Sequence, residues 1–182
     1  MTRFYLVRNG RTEDGAGFSE NPRLDEVGRV QAEAVASLLG SLPRMLILTS
    51  PQKRALESAK PLADRWLINP VVDESVTLMP LPNMQPSGVF AWLTTFMKGT
   101  WHDAPVEQAQ WRQQCLEKLI QLKEDTVVFS HFVVVNMFAG AALSDDRVTV
   151  FQPDNGSITI IEIMDGKLSL VERGRQASTR RL

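Results

Sequence analysis

The sequence predicts an α/β protein with three layers, in which an open, mostly parallel sheet carries helices on both faces. One observation supports this fold class, and a second indicates the number of domains. Short apolar runs of β-forming residues alternate along the chain with longer segments of helical periodicity, a pattern typical of parallel sheets with crossover helices. The chain has 182 residues and 43% hydrophobic content, enough for one sizeable core and little for two, so we predict a single domain over residues 1–182.

The first strand and the first helix are predicted from the N-terminal residues. The short apolar run of residues 4–7 predicts a buried strand that delivers Arg8 to its C-terminal end. A Gly-rich polar loop over residues 10–23 follows, and Asp25 is a suitable N-cap for a helix that runs to about residue 39. The apolar face of this helix is predicted to include Val27, Val30, Ala34, Val35 and Leu38.

The next segments repeat this strand and helix order. Residues 45–48 predict a second strand. Ser50 is expected to cap the following helix, with Pro51 at its first position, where a missing N–H costs nothing. This helix is predicted to run to about residue 66, and residues 71–72 predict a third strand.

The remaining elements follow from the same patterns. Residues 80–86 are rich in proline and predict an irregular, mobile loop. The last residues, 173–182, carry four arginines and are predicted to form a solvated basic tail. The other predictions are helices over residues 89–97, 106–122 and from about 132, a strand over residues 126–129, and edge strands over residues 147–152, 157–163 and 168–171, the last two joined by a turn at Asp165-Gly166.

Composition excludes several functional classes. The 20 basic and 21 acidic residues give a net charge of −1, so no overall field attracts nucleic acid or an anionic membrane. The N-terminal apolar run is too short for a signal peptide or a membrane span, and we expect a cytoplasmic protein. Cys115 is expected in the core, and with only two histidines in the chain we expect neither a metal nor another cofactor.

Polar residues of one chemical kind follow the predicted strands. Open α/β sheets bind their ligands beyond the C-terminal ends of the strands. Arginine binds phosphate oxygens in bidentate fashion, and a histidine or carboxylate can donate a proton. The sequence therefore predicts a phosphate site at this edge of the sheet. The residues concerned are Arg8, Asn9, Ser50, Arg54, Asp73, Glu74, Ser130 and His131.

Five blocks of the sequence resemble, in the same order, the motifs of the histidine phosphatase (phosphoglycerate mutase-like) superfamily. The first resembles the Arg-His-Gly signature of that family, with asparagine at the place of the histidine. The fourth resembles the segment that carries the family's second histidine. The blocks are Leu6-Val7-Arg8-Asn9-Gly10-Arg11-Thr12, residues 24–32, Thr49-Ser50-Pro51-Gln52-Lys53-Arg54-Ala55, Val127-Val128-Phe129-Ser130-His131 and Asn155-Gly156-Ser157-Ile158.

The resemblance implies a role for each matching residue. In the family the first histidine attacks phosphorus and forms a phosphohistidine, while arginines and the second histidine stabilise the transferring group. Carried over, Arg8, Arg54 and His131 would hold phosphate, and Asn9 would occupy the place of the nucleophile. An acid after the third strand would protonate the leaving oxygen; Glu74 is the predicted acid, and the adjacent Asp73 is the alternative.

Asparagine at position 9 changes the expected chemistry. Its amide nitrogen can donate hydrogen bonds to phosphate, but the lone pair is delocalised and cannot attack phosphorus. Phe132 is a second departure, because the family often has glycine after the second histidine; its bulk is expected to narrow the pocket or alter how a ligand enters. His102 is expected at the surface, with an approach to the ligand as the alternative.

Three functional hypotheses follow. The first is a protein that binds phosphate or a phosphate monoester, on a small molecule or a phosphoprotein, with covalent catalysis lost or impaired. The second is a phosphomonoester phosphatase whose nucleophile was replaced in this copy. The third is a non-catalytic scaffold. A cluster of apolar residues is expected to form either a partly hydrophobic lid or ordinary core; its members are Met79, Met84, Phe90, Trp92 and Trp101.

Overall fold

The computed structural model of the chain describes residues 1–13 and 21–178. Part of the predicted loop over residues 10–23 and the end of the predicted tail therefore lie outside the described residues. In chain order the elements are β1 (Thr2–Arg8), α1 (Glu26–Leu39), β2 (Leu46–Thr49), α2 (Lys53–Trp66), β3 (Val71–Val72), α3 (Pro86–Phe96), α4 (Val106–Ile120), β4 (Thr126–Ser130), α5 (Phe132–Leu143), β5 (Ile158–Met164) and β6 (Lys167–Glu172).

The strands form one sheet in the order β3-β2-β4-β1-β5-β6. The pairs β3-β2, β2-β4 and β4-β1 are parallel, and β5 and β6 add two antiparallel strands. The predicted mostly parallel α/β fold is therefore confirmed. Because β1 and β4 are neighbours and Arg8 pairs with Ser130, the residues that follow them, Asn9 and His131, leave the sheet side by side.

Side-chain alternation along β1 supplies both faces of the sheet with a core. Phe4 and Leu6 join one buried cluster with α4 and α5, whereas Tyr5 and Val7 join another with α1 and α2. Two-sided burial explains why the central strands are continuously apolar. Cys115 of α4 lies in the first cluster, as expected, and burial raises the pKa of its thiol to about 12, so it remains a protonated core side chain.

The predicted apolar face of α1 is largely wrong. Val30 and Leu38 are 66% and 67% exposed, and of the five predicted residues only Val35 is buried. The helix instead packs through small side chains, because these allow it to approach α2 and the loop after β1 closely. The buried positions are Gly28, Ala32, Val35, Ala36 and Leu39.

Two of the three predicted edge strands also need correction. Residues 147–152 form no strand: their backbone is held instead by Asn136 of α5, whose Oδ1 accepts hydrogen bonds from the N–H groups of Val150 and Phe151 at 2.9 and 3.1 Å. A side chain therefore replaces the strand ladder. β5 lies between β1 and β6 and is an interior strand. β6 is the edge strand, and the predicted turn at Asp165-Gly166, with positive φ at both residues, joins the two.

The described start of the predicted basic tail follows the protein surface. Gly174 is buried and its N–H lies 3.3 Å from Thr159 Oγ1, and Gln176 forms a bridge to Pro153. The arginines of this segment remain exposed, as predicted for solvated side chains. Within residues 1–13 and 21–178, no helix combines the length and hydropathy needed to cross a membrane.

Candidate phosphate site

Backbone hydrogen bonds from three directions fix the segment after β1. The Asn9 N–H donates to Ser130 O at 2.9 Å, which ties it to the end of β4. The Asn155 side-chain amide donates to Asn9 O at 2.9 Å, and the Gly10 N–H donates to Ser58 Oγ of α2 at 3.0 Å. Asn9 is therefore held in one backbone position and is only 7% exposed.

Two glycines permit this close packing. A Cβ at Gly28 of α1 would overlap the carbonyl of Arg11, so only glycine lets the helix meet the loop. Gly156 has φ +67°, which favours glycine, and its N–H donates to Arg8 O at 2.9 Å. Both residues belong to blocks that carry the family resemblance, and the structure shows what each does for the site.

A buried chain of hydrogen bonds runs through His131. Its Nε2 lies 2.8 Å from Ser50 Oγ, and its Nδ1 lies 3.1 Å from Asn9 Oδ1. The Asn9 amide nitrogen donates to Gly10 O at 2.9 Å, which turns Oδ1 toward the ring. His131 Nδ1 therefore carries the proton, and Nε2 accepts from the Ser50 hydroxyl.

Ser50 lies at the site, as the sequence predicts, but it does not cap α2, which the sequence also predicts. The helix α2 begins at Lys53 with Gln52 as its N-cap residue, and Ser50 Oγ accepts only a long 3.3 Å bond from the Gln52 N–H. The hydroxyl is fully buried against His131. Neither the His131 contact of Ser50 nor the Asn9 contact of Asn155 was expected; the only signal for them was their position in the blocks after β2 and before β5.

The two predicted arginines approach His131 from different elements. Arg8 donates from Nη1 to Pro153 O at 2.7 Å, and its guanidinium lies 5.1 Å from the centre of the Phe132 ring. Burial lowers the pKa of Arg8 to about 10, against an opposing effect of Asp154. Arg54 lies in the first turn of α2, and burial alone lowers its pKa. Both groups remain charged at neutral pH.

His131 is neutral in this environment. Burial, and then the positive charges of Arg54 and Arg8, lower the pKa of His131 to about 3. His131 was expected to be charged beside a bound phosphate, and without one the structure favours the neutral ring. An anion placed between the arginines would oppose the last two causes and raise this pKa again.

The neutral, buried His131 predicts an acid-sensitive fold. Its pKa is lower in the folded chain than in the unfolded chain, so between about pH 6.5 and 3 the unfolded chain binds more protons and the free energy of unfolding decreases as the pH falls. We expect His131→Gln to remove part of this decrease, at most about 1.4 kcal/mol per pH unit. Urea unfolding from pH 7 to 4.5 measures it. The control is His102→Gln, at the exposed histidine; equal profiles for the two variants would contradict the prediction.

Neither of the two candidate acids takes part in this hydrogen-bond chain. Asp73 Oδ1 accepts from the Ser75 N–H at 2.8 Å, and Oδ2 lies 3.8 Å from Lys118 Nζ, so its carboxylate caps the short turn of residues 74–76. Glu74 is exposed. Among the described residues, neither carboxylate makes a hydrogen bond or ion pair with Asn9 or His131. The assignment of Glu74 as the acid remains a prediction.

The apolar residues that were predicted to form either a lid or ordinary core differ in their exposure. Met79 and Trp101 are buried in the core, whereas Met84 and Phe90 are exposed. His102 is exposed, and its N–H donates to Asp146, which agrees with the expected surface position.

The sheet order and the polar residues at its C-terminal edge define a phosphoglycerate mutase-like α/β fold, and comparisons agree. The family model of the histidine phosphatase superfamily (branch 1) matches residues 4–79. A glucosyl-3-phosphoglycerate phosphatase of Mycolicibacterium vanbaalenii is 24% identical over 88% of this chain and 72% of its own length. The family match therefore covers the segment from β1 to the residues just after β3, which includes Arg8, Asn9 and Arg54.

Solved structures show the same fold. A mycobacterial glucosyl-3-phosphoglycerate phosphatase in complex with VO3 is 23% identical, covers 93% of this chain and 97% of its own, and has a TM-score of 0.73. YhfR of Bacillus stearothermophilus is 22% identical, covers 98% of each chain and has a TM-score of 0.74. The likeness therefore extends over nearly the whole chain.

Proposed function

We propose that this protein binds phosphate or a phosphate monoester between Arg8, Arg54 and His131, and that Asn9, at the nucleophile's position, prevents covalent phosphohistidine catalysis. One observation carries the proposal. The guanidinium groups of Arg54 and Arg8 lie near the buried imidazole of His131, which is itself fixed by contacts with Asn9 and Ser50. Positive groups held together at the end of a parallel sheet favour an anion, and phosphate matches the donor geometry of arginine.

The contacts of Asn9 support the second part of the proposal. One N–H of its amide is used on Gly10 O, and the other can donate to a ligand oxygen. No lone pair on this side chain can attack phosphorus. A bound phosphate is therefore recognised without being transferred to the protein.

The relatives support the same class of ligand. The similar curated protein is named a phosphatase of glucosyl-3-phosphoglycerate, a phosphorylated small molecule, and a similar solved structure holds VO3. A phosphorylated small molecule is thus the first choice of ligand here, with a phosphoprotein as the alternative.

The test separates binding from turnover. Millimolar phosphate or vanadate is expected to raise the melting temperature of the unmodified chain, since a ligand that binds only the folded state stabilises it. Incubation with a labelled phosphate monoester should leave no phosphoenzyme after rapid quenching. A trapped phosphoenzyme would refute the loss of catalysis, and no stabilisation by either anion would favour the scaffold hypothesis.

One contact also favours the hypothesis of a phosphatase with a replaced nucleophile. Gly10 O accepts from the Asn9 side chain in the way it could accept from the Nδ1–H of an imidazole. The backbone at position 9 is therefore still arranged to orient a histidine.

A further inference from the structure

Beside the proposed phosphate site lies a small apolar cavity. Its volume is about 160 Å³. Only one of its lining residues, Arg8, carries a charge. The lining residues are Arg8, Phe90, Leu93, Thr94, Met97, Phe132 and Val133.

The chain itself connects this cavity to the site. Arg8 directly precedes Asn9, and Phe132 directly follows His131. The guanidinium of Arg8 and the ring of Phe132 stack at 5.1 Å and both line the cavity. Arg8 uses Nη1 on Pro153 O and has further N–H groups for an anion. A ligand whose phosphate contacts Arg8 would place its organic group against Phe132.

The outer wall of the cavity is formed by α3, a helix that is buried only at its C-terminal end. Phe96 anchors it, with ring centres 4.9 Å from Trp92 and 5.6 Å from Trp101. Toward its N-terminus Phe90 is 63% exposed at the cavity. The exposed ring of Phe90 therefore forms the solvent-facing part of the cavity wall.

We propose that this cavity is a subsite for the organic group of a phosphate monoester, and that the preferred group is apolar and about the size of one aromatic ring. The inference rests on the proposed function and deepens it. The volume is close to that of an apolar protein cavity of about 150 Å³ that binds benzene. A sugar would bring hydroxyl groups into a space with few polar partners, which costs free energy.

The experiment compares phenyl phosphate, methyl phosphate and inorganic phosphate by calorimetric titration of the unmodified chain. Phenyl phosphate is expected to bind about tenfold more tightly than methyl phosphate, which corresponds to about 1.4 kcal/mol. Glycerol phosphate, polar and of similar size, should show no such gain. Equal affinities for phenyl and methyl phosphate, with inorganic phosphate still bound, would overturn the subsite and leave the proposed function intact. Binding of none of the ligands would refute both.

Two variants test the cavity itself. Phe90→Ser removes the exposed wall, and Thr94→Trp fills the space; each should reduce the ratio of phenyl to methyl phosphate affinity toward one. The matched control is Leu38→Ser, which removes a side chain of similar exposure, 67%, from α1. An unchanged ratio in both cavity variants, or an equal change in the control, would contradict the assignment.

Discussion

Replacing Asn9 with histidine is expected to produce a phosphatase, with hydrolysis of para-nitrophenyl phosphate rising by a factor on the order of 10³ or more, the scale of effect that a covalent nucleophile has. The reason is local. The imidazole Nδ1 would take the place of the Asn9 amide nitrogen, 2.9 Å from Gly10 O, so its proton would be held there. Nε2 would then be left with a free lone pair, directed away from the backbone.

The increase in the rate of hydrolysis is expected to depend on the leaving group of the ester. Glu74 is exposed and makes no hydrogen bond or ion pair with His131 among the described residues, so protonation of a poor leaving group should be slow. We expect a smaller gain for glycerol phosphate, whose alkoxide needs a proton, than for the aryl ester. Initial rates and quenched-flow detection of phosphohistidine measure both effects.

A paired variant controls the interpretation. Glu74→Gln is combined with Asn9→His and compared with Asn9→His alone. A lower rate of hydrolysis for glycerol phosphate, with an unchanged rate for the aryl ester, would identify Glu74 as the acid. If Asn9→His folds normally, binds phosphate and still hydrolyses neither ester, the replaced-nucleophile hypothesis is wrong and the pocket lacks more than one catalytic group.

Replacing Arg54 with methionine is expected to have opposite effects on the free and the phosphate-bound protein. Burial lowers the pKa of Arg54, and no neighbouring carboxylate among the described residues opposes this effect. The charged side chain therefore destabilises the folded protein when no anion is bound. Methionine keeps much of the volume without the charge, so the ligand-free variant should melt at a higher temperature. Phosphate affinity should fall roughly 10- to 150-fold, since a charged hydrogen bond contributes about 1.5–3 kcal/mol.

Differential scanning fluorimetry with and without phosphate measures both effects in one experiment. The matched control is Arg44→Met, at an exposed arginine, which should leave the phosphate-induced shift unchanged. If Arg54→Met binds phosphate as tightly as the unmodified chain, Arg54 is no part of the site. If it lowers the melting temperature without phosphate, the guanidinium has a structural role instead.

Local sequence signals predicted most of the elements correctly because they depend on neighbouring residues alone. Asp25 caps α1 through its Oδ1 at 2.7 Å from the Gly28 N–H, and the alternation of strands and helices indicated the parallel sheet. The failures concern long-range contacts. The buried face of α1 depends on which loop and helix pack against it. Residues 147–152 form no strand because their backbone is bound by the side chain of Asn136, which lies earlier in the chain.

The candidate site shows the same division. By itself, the sequence determined that Arg8, Asn9, Arg54 and His131 would gather at one edge of a sheet, because strand ends in an α/β fold converge. Only the tertiary structure decided that the hydrogen-bond partners of His131 are Asn9 and Ser50 rather than Glu74, because these partners lie far from His131 in the chain. The neutral state of His131 was also decided there, because its pKa reflects burial and two arginines from different elements.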